Sequence, residues 1–91
     1  MEKLNKSSVK IIKVAKSSDP KKVAGTVRYY TTSLGRCELH ALGNEAISVT
    51  VKSLALLNDI FKFDYKSKVS YFHFVNDDNK KQSGLAFKIS K

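Results

Sequence analysis

The sequence predicts an α/β fold of the α+β two-layer type, in which two helices lie on one face of a four-stranded mixed sheet. Three observations lead to this prediction. Four stretches are rich in alternating or β-branched apolar residues, two stretches between the first three of them repeat apolar residues at helical spacing, and a polar turn separates the last two. The element order is therefore β-α-β-α-β-β in one domain, residues 9–91, after an N-terminal segment, residues 1–8, that we expect to be flexible.

The first strand is predicted at residues 9–15. Its apolar residues alternate onto both faces, which favours a central position in the sheet. Asp19 and Pro20 then mark a helix start, because an aspartate caps free N–H groups and a proline at the first helical position gives up no hydrogen bond. The first helix is predicted to run to Leu34, and Gly35 suits the left-handed residue that ends a helix.

The second strand, residues 36–42, leads through Gly43 into a second helix at residues 45–61, for which Asn44 is the expected N-cap. On a helical wheel the residues expected to face the core share one side and its flank: Ile47, Val51, Leu54 and Phe61, with Ala46, Leu57 and Ile60 beside them. Val49 and Leu56 point almost the opposite way. Because one sheet covers only one side of a helix, we predict that Val49 and Leu56 form the interface of a homodimer.

The last two strands, near residues 68–75 and 80–91, are predicted to form a β-hairpin around the polar turn at residues 76–79. Tyr71 and His73 alternate with Phe72 and Phe74, so one of these pairs must point away from the helices. Exposed rings on a basic domain can stack on nucleic-acid bases. Dimer packing and ordinary strand composition are the alternative interpretations.

The charge distribution is strongly basic, with 17 lysines and arginines against eight acids and a formal net charge of +9. Such a field attracts phosphate-rich polymers or an anionic membrane surface, and the alternative is a lysine-rich surface that serves solubility. The sequence shows no basic amphipathic helix with large exposed apolar residues, so membrane binding is disfavoured. No apolar run is long enough to span a bilayer, and Cys37 is the only cysteine, so we expect a cytoplasmic protein without an internal disulfide.

Residues suited to catalysis are sparse. His40 and His73 are isolated in the sequence, and Cys37 lies an odd number of residues before His40, which places the two side chains on opposite faces of a strand. Asp77 and Asp78 occupy a turn, where aspartate is expected for conformational reasons. We therefore predict no enzymatic activity, no metal site, no cofactor and no small-molecule substrate.

The two helix starts are candidate anion sites, and the start of the first helix is a better candidate than the start of the second at Gly43-Asn44. Two hydroxyls and three lysines converge on the free N–H groups there: Ser17 and Ser18, with Lys16, Lys21 and Lys22. Asp19 partly opposes an anion at this position. The alternative is an ordinary capped helix whose lysines are solvated.

Two blocks of residues resemble the stage V sporulation protein S family, a small bacterial family with an Alba-like fold. The first block comprises Lys13-Val14-Ala15-Lys16-Ser17-Ser18, Pro20 and Val23-Ala24-Gly25, and the second comprises Glu38, Ala41, Gly43, Ala46, Val51-Lys52 and Ala55. The match covers residues 10–61. Gly43, Ala46, Ile47 and Val51 are also similar to the Gly-x-x-Ala-Ile-x-x-x-Val signature of Alba proteins themselves.

This resemblance implies the β-α-β-α-β-β fold and, commonly, a dimer. In Alba proteins, lysines in the loop after the first strand contact the nucleic-acid backbone, and a basic β-hairpin reaches along the groove. Here those roles would fall on Lys16, Lys21 and Lys22, and on Lys80 and Lys81. The chain departs from the Alba pattern where two serines and an acid follow Lys16, and where Asp77 and Asp78 occupy the hairpin tip.

We therefore predict a basic protein that binds DNA or RNA through phosphates with low sequence specificity, in a regulatory or chromatin-like role. The residues expected to contact nucleic acid are Lys16, Ser17, Ser18, Lys21, Lys22 and Arg28, with Lys80 and Lys81 as a hairpin arm. The alternative is a protein-interaction or developmental regulatory module without direct nucleic-acid binding, in which Val49 and Leu56 bind a partner.

Overall fold

The computed structural model describes residues 9–62 and 64–90. The predicted flexible segment, residues 1–8, lies outside the described residues. The elements are, in order, β1 (Lys10–Val14), α1 (Pro20–Leu34), β2 (Arg36–Ala41), α2 (Asn44–Phe61), β3 (Lys66–Val75) and β4 (Lys81–Ser90). The predicted order and the four-stranded mixed sheet with two helices are confirmed.

The strands lie in the order β1-β2-β4-β3. β1 is parallel to β2, whereas β4 is antiparallel to both of its neighbours. β1 is thus an edge strand, and the prediction that it is central is wrong. The misleading residue is Ile11, which lies on the face of the sheet away from the helices and is 48% exposed. Apolar residues on both faces of a strand indicate burial on two sides, and here the second side is uncovered.

One face of the sheet packs on the helices and carries the core. Cross-strand pairs on this face include Leu39 with Phe87 and Cys37 with Ile89, all of them buried. The helices pack on β1, β2 and β4. On the same side of β3, Val69, Tyr71 and Val75 are exposed by 51%, 73% and 57%. β3 therefore extends beyond the helical layer.

Helix α1 begins and ends as the sequence predicts. Asp19 Oδ1 accepts a hydrogen bond from the Lys21 N–H at 3.0 Å, and Pro20 is the first helical residue. Gly35, with φ of 85°, ends the helix and donates its N–H to the Thr31 carbonyl at 2.9 Å. Local chemistry alone sets both ends of this helix, because each signal acts within one turn.

Helix α2 departs from its predicted orientation. The buried residues are Ala46, Thr50, Ser53 and Leu57. Ala46 and Leu57, predicted on the flank of the core face, are thus buried, and the predicted Ile47, Leu54 and Phe61 are half-buried against the core. The centre of the buried face lies toward that flank, about one residue or 100° around the helix from the predicted centre. Val51, predicted to be in the core, is 52% exposed, whereas Val49 and Leu56 are partly buried and pack against the core cluster.

Hydroxyl side chains explain why the wheel was misleading. Thr50 Oγ1 donates to the Ala46 carbonyl at 2.9 Å, and Ser53 Oγ donates to the Val49 carbonyl at 2.7 Å. A hydroxyl that bonds to its own helix is satisfied without water and behaves as a small core residue. Small residues let helices approach closely, and α2 packs against α1 as well as the sheet.

The start of α2 also differs from expectation. Gly43, with φ of 86°, is the N-cap, and no side chain caps the helix. Asn44 is the first helical residue, so its predicted role as the N-cap is wrong. Gly43 takes the cap position because the turn from β2 requires a positive φ, which glycine adopts without steric cost.

Candidate nucleic-acid interface

The sheet has one end at which the predicted site residues gather. Val14 pairs with Ala41, and Ala41 pairs with Leu85. Beyond that level β3 and β4 continue alone to their last pair, Val75 with Lys81. At about 3.3 Å per residue, the hairpin projects roughly 13 Å past the ends of β1 and β2. We call this the hairpin end, and the turn before α1, residues 15–19, lies at it too.

The turn before α1 is internally hydrogen-bonded. The Ser18 N–H donates to the Ala15 carbonyl at 3.0 Å, and the Ala15 N–H donates to Ser18 Oγ at 2.9 Å. Ser18 therefore builds the turn, and the Asp19 carboxylate already accepts the Lys21 N–H. Exposed Lys16, Ser17, Lys21 and Lys22 remain around this turn. The anion-attracting part of the predicted site thus consists of lysine side chains rather than helix N–H groups.

Arg28 is not brought to this cluster. It lies seven residues after Lys21 on the same stripe of α1, about 10 Å along the helix. Its guanidinium carbon is 4.4 Å from the centroid of the Phe61 ring, at the C-terminal end of α2. The cation–π contact holds Arg28 away from the hairpin end.

The hairpin tip is hydrogen-bonded through the Asn76 side chain. Its side-chain oxygen accepts from the N–H groups of Asp78 and Lys80 at 2.9 and 3.0 Å. Lys80 and Lys81 are exposed, as are Asp77 and Asp78. Two acids beside two bases leave the tip electrically balanced, so the hairpin arm contributes less attraction for phosphate than the turn before α1.

The face of the sheet away from the helices, here called the open face, carries the pair of rings predicted to point away from the helices, together with cations that were not predicted to form a site. Phe72 and Phe74 point to this face, whereas Tyr71 and His73 point to the helix side. The cations on the open face are Lys13, Arg36, Lys66, Lys68 and Lys88. The signal was present in the sequence, since these bases alternate with apolar residues along the strands, but their common face depends on the strand pairing.

Groups that could support other chemistry are few in the described chain. Among residues 9–62 and 64–90, His, Cys, Asp and Glu form no cluster able to hold a metal ion. Within the same residues, no helix is both long and apolar enough to cross a membrane. Cys37 is a free thiol that is 1% exposed, and burial raises its pKa to about 11.

The buried thiol leads to a prediction about reactivity. At pH 8 we expect Cys37 of the native protein to react with a disulfide reagent such as DTNB only as fast as the chain unfolds, because burial suppresses the thiolate. Full reaction within seconds in urea is the control. Burial of the neutral thiol favours the folded state fully below pH 9. This contribution is lost between pH 9 and about 11, because in that range Cys37 ionises in the unfolded chain but stays protonated in the folded one. Rapid native reaction at pH 8 would contradict this burial.

Comparison with known proteins gives a family match and a structural neighbour with the same fold. Residues 10–91 match the family described as stage V sporulation protein S (SpoVS). Among solved structures, Alba from Thermoplasma volcanium shares the fold with a TM-score of 0.59 at 15% sequence identity, over 89% of this chain and 99% of that chain. No curated protein sequence gives a significant match. The β-α-β-α-β-β fold is thus Alba-like, and the chain belongs to the stage V sporulation protein S family.

Proposed function

We propose that this protein binds DNA or RNA through the phosphate backbone with low sequence specificity, and that it is a binding protein rather than an enzyme. One observation carries the proposal. Lys16, Lys21 and Lys22 are all exposed around one turn at the hairpin end, and the one acid in that turn, Asp19, is engaged in capping α1. Clustered lysines attract phosphates and release counterions from nucleic acid.

Two further features support phosphate binding. The formal net charge of +9 supplies a long-range field that steers polyanions to the surface. The fold is shared with an Alba protein. The resemblance to Alba proteins implies that the loop after the first strand contacts the nucleic-acid backbone, and this loop is the turn before α1. Fold likeness by itself is an analogy, so the lysine cluster carries the argument.

Low specificity follows from the residue types at the hairpin end. Lysine contacts phosphates as a point charge and reads no base pattern, whereas base readout requires Arg, Asn or Gln aimed at base edges. Such binding suits a regulatory or chromatin-like role. A single buried thiol suits the reducing cytoplasm, which we propose as the location.

The proposal is tested by fluorescence anisotropy of the full chain with labelled duplex DNA, single-stranded DNA and RNA over a salt series. We expect saturable binding whose logarithm falls linearly with the logarithm of the salt concentration. On duplex DNA, three lysine contacts give a slope near −2.7, at about 0.9 per phosphate. Absence of binding to all three at 50 mM salt would refute the proposal and favour the alternative, a protein-interaction or developmental regulatory module.

We also propose that the chain is a homodimer, with an interface at β3 in place of the predicted Val49 and Leu56. Val69, Tyr71 and Val75 expose apolar surface on one side of an edge strand. An edge strand also has unpaired backbone groups, and a second copy of β3 can meet it about a two-fold axis. The resemblance to Alba proteins also implies a dimer, which supports a second copy of the chain as the partner of β3.

Replacing Val69 and Tyr71 together by lysine is expected to convert the dimer to a folded monomer, because both side chains are exposed and contribute little to the core. Light scattering coupled to size exclusion reads the mass, and circular dichroism reads the fold. Leu56→Glu is the contrasting variant. The Leu56 side chain packs on the core, so we expect this substitution to destabilise the fold and lower the urea concentration at which the protein unfolds. A dimer that persists in the double variant would exclude β3 as the interface.

A further inference from the structure

We propose that the open face is a binding surface for single-stranded nucleic acid, with bases stacking on its aromatic rings and phosphates held by its lysines. This inference rests on the proposed function and specifies a second surface for it. The open face is defined by the strand residues that point away from the helices, namely Ile11, Lys13, Arg36, Glu38, His40, Lys66, Lys68, Ser70, Phe72, Phe74, Gln82, Gly84, Ala86, Lys88 and Ser90.

Three rings stand in a row on this face. The His40 and Phe72 rings are stacked, with centroids 4.3 Å apart and planes inclined by 20°. Phe72 and Phe74 are also stacked, with centroids 5.8 Å apart and the same 20° inclination. The row crosses from β2 to the hairpin. Near-parallel planes at this spacing form a column that an unpaired base can extend.

Small residues on β4 make the row possible. Phe72 is on β3 and His40 is on β2, with β4 between them. Opposite Phe72 on β4 stands Gly84, where an added Cβ would lie only 2.6 Å from the Phe72 ring. The missing side chain lets Phe72 lie across β4 and reach His40. The Phe72 side chain thus lies over β4 on the open face and not in the core between the sheet and the helices.

A groove beside the rings offers space for a base. It has a volume of about 350 Å³ and is lined by Lys13, Val14, His40, Leu42, Phe72 and Phe74. Its lining is aromatic and aliphatic apart from Lys13, which supplies a positive charge. This combination fits a base together with its adjacent phosphate.

The remainder of the open face is cationic. Five bases and one acid give it a net charge of +4 when His40 is neutral. The acid is Glu38, whose Oε2 lies 2.5 Å from His40 Nε2 and is therefore engaged within the face. Lys68 stands directly opposite Lys88 on the neighbouring strand. Like charges in this position oppose each other, and a bound polyanion would relieve the repulsion.

The geometry favours a single strand over a duplex. In a duplex the base faces are covered by their neighbours, so rings on a flat sheet cannot reach them. From Lys66 to Phe74 the open face extends over about 27 Å along β3, which accommodates the four or more nucleotides that single-strand-binding folds engage. Lys16, Lys21 and Lys22 are outside the open face, so the two surfaces can be tested separately.

The test measures anisotropy of a labelled 15-nucleotide oligothymidine and of a 15-base-pair duplex with the full chain. Phe74→Leu removes stacking while retaining an apolar side chain, and it is expected to weaken oligothymidine binding at least fivefold and duplex binding less than twofold. Tyr29→Leu, which replaces an exposed ring on α1, is the matched control and should change neither. Circular dichroism melting verifies that each variant is folded.

A second variant tests the cationic half of the surface. Lys68→Gln with Lys88→Gln is expected to lower the magnitude of the salt slope for oligothymidine by about 1.4, at about 0.7 per contact on a single strand. If the parent protein binds both nucleic acids and both variants bind oligothymidine as it does, the open face is excluded while the proposed function stands. If the parent protein binds neither nucleic acid, both proposals fail.

Discussion

Replacing Lys21 and Lys22 together by glutamate is expected to lower the affinity for duplex DNA about 60-fold at 0.1 M salt. Each lysine–phosphate contact contributes about 0.9 to the salt slope, and the loss of two contacts at this salt concentration removes about 1.8 powers of ten. The slope itself should fall in magnitude by the same 1.8. Both side chains are exposed in the first turn of α1, so the variant should remain folded.

A matched control separates a local contact from a general loss of charge. Lys10→Glu with Lys62→Glu changes the net charge equally, but Lys10 begins β1 and Lys62 follows α2, both at the sheet end opposite the hairpin. We expect this control to lose less than fivefold, the part due to the overall field. Equal losses in both variants would show that the turn before α1 is not a distinct site.

Gly84→Ala is expected to lower the free energy of unfolding by about 3 kcal/mol. The added Cβ would lie 2.6 Å from Phe72 Cε1 and 2.8 Å from the Ala41 carbonyl oxygen. Phe72 can turn away, but the Ala41 oxygen belongs to the backbone of β2, so β2 and β4 would have to separate locally. For a domain of this size, such a loss lowers the melting temperature by roughly 15 °C.

Gly25→Ala provides the control for this substitution. A Cβ at Gly25 meets nothing within 4 Å, and the residue lies on the exposed side of α1. Alanine is favoured over glycine in a helix, so this variant should gain about 0.5–1 kcal/mol. Urea unfolding measures the free energy of unfolding of the Gly84→Ala and Gly25→Ala variants. A Gly84→Ala protein as stable as the parent would contradict the close approach of the Ala41 carbonyl oxygen, because β2 and β4 would then accept the added Cβ without separating.

The two proposed surfaces share one end of the molecule. Lys13, which lines the groove beside the rings, is only three residues before Lys16 in the turn that precedes α1. A strand lying along the open face can therefore continue toward the lysines of that turn. The Lys21 and Phe74 variants distinguish the contributions of the two surfaces. The first should weaken the binding of every nucleic acid, and the second should weaken the binding of single strands only.

Local signals predicted the parts of the fold that depend on a few neighbouring residues. Asp19, Pro20 and Gly35 act on the first and last turns of α1, and the structure has both ends where the sequence placed them. Hydrophobic periodicity likewise distinguished strands from helices, because it reports the repeat of the backbone itself. The lysines of the candidate phosphate site were also evident, since exposure of charged side chains near a helix start is the usual outcome.

Features that depend on neighbours distant in sequence were not predicted. The buried face of α2 contains Thr50 and Ser53, which enter the core because their hydroxyls bond to their own helix and because α1 packs close by. A wheel that counts apolar residues assigns such hydroxyls to solvent. Val49 and Leu56 are consequently half-buried against the core, so an interface at these two residues stays a prediction that would use only their exposed remainder.

The sequence by itself determined the order and type of the elements, the ends of α1, the basic character and the lysine cluster before α1. Only the tertiary structure decided that β1 is an edge strand, that β3 extends beyond the helices, and that Phe72, Phe74 and His40 share the open face with five cations. The physical reason is the distance along the sequence over which each interaction acts. Caps and periodicity act over a few residues, whereas the sheet pairs residues as far apart as Arg36 and Ser90, which are 54 positions apart in the sequence. No local pattern encodes which strand becomes the neighbour of which.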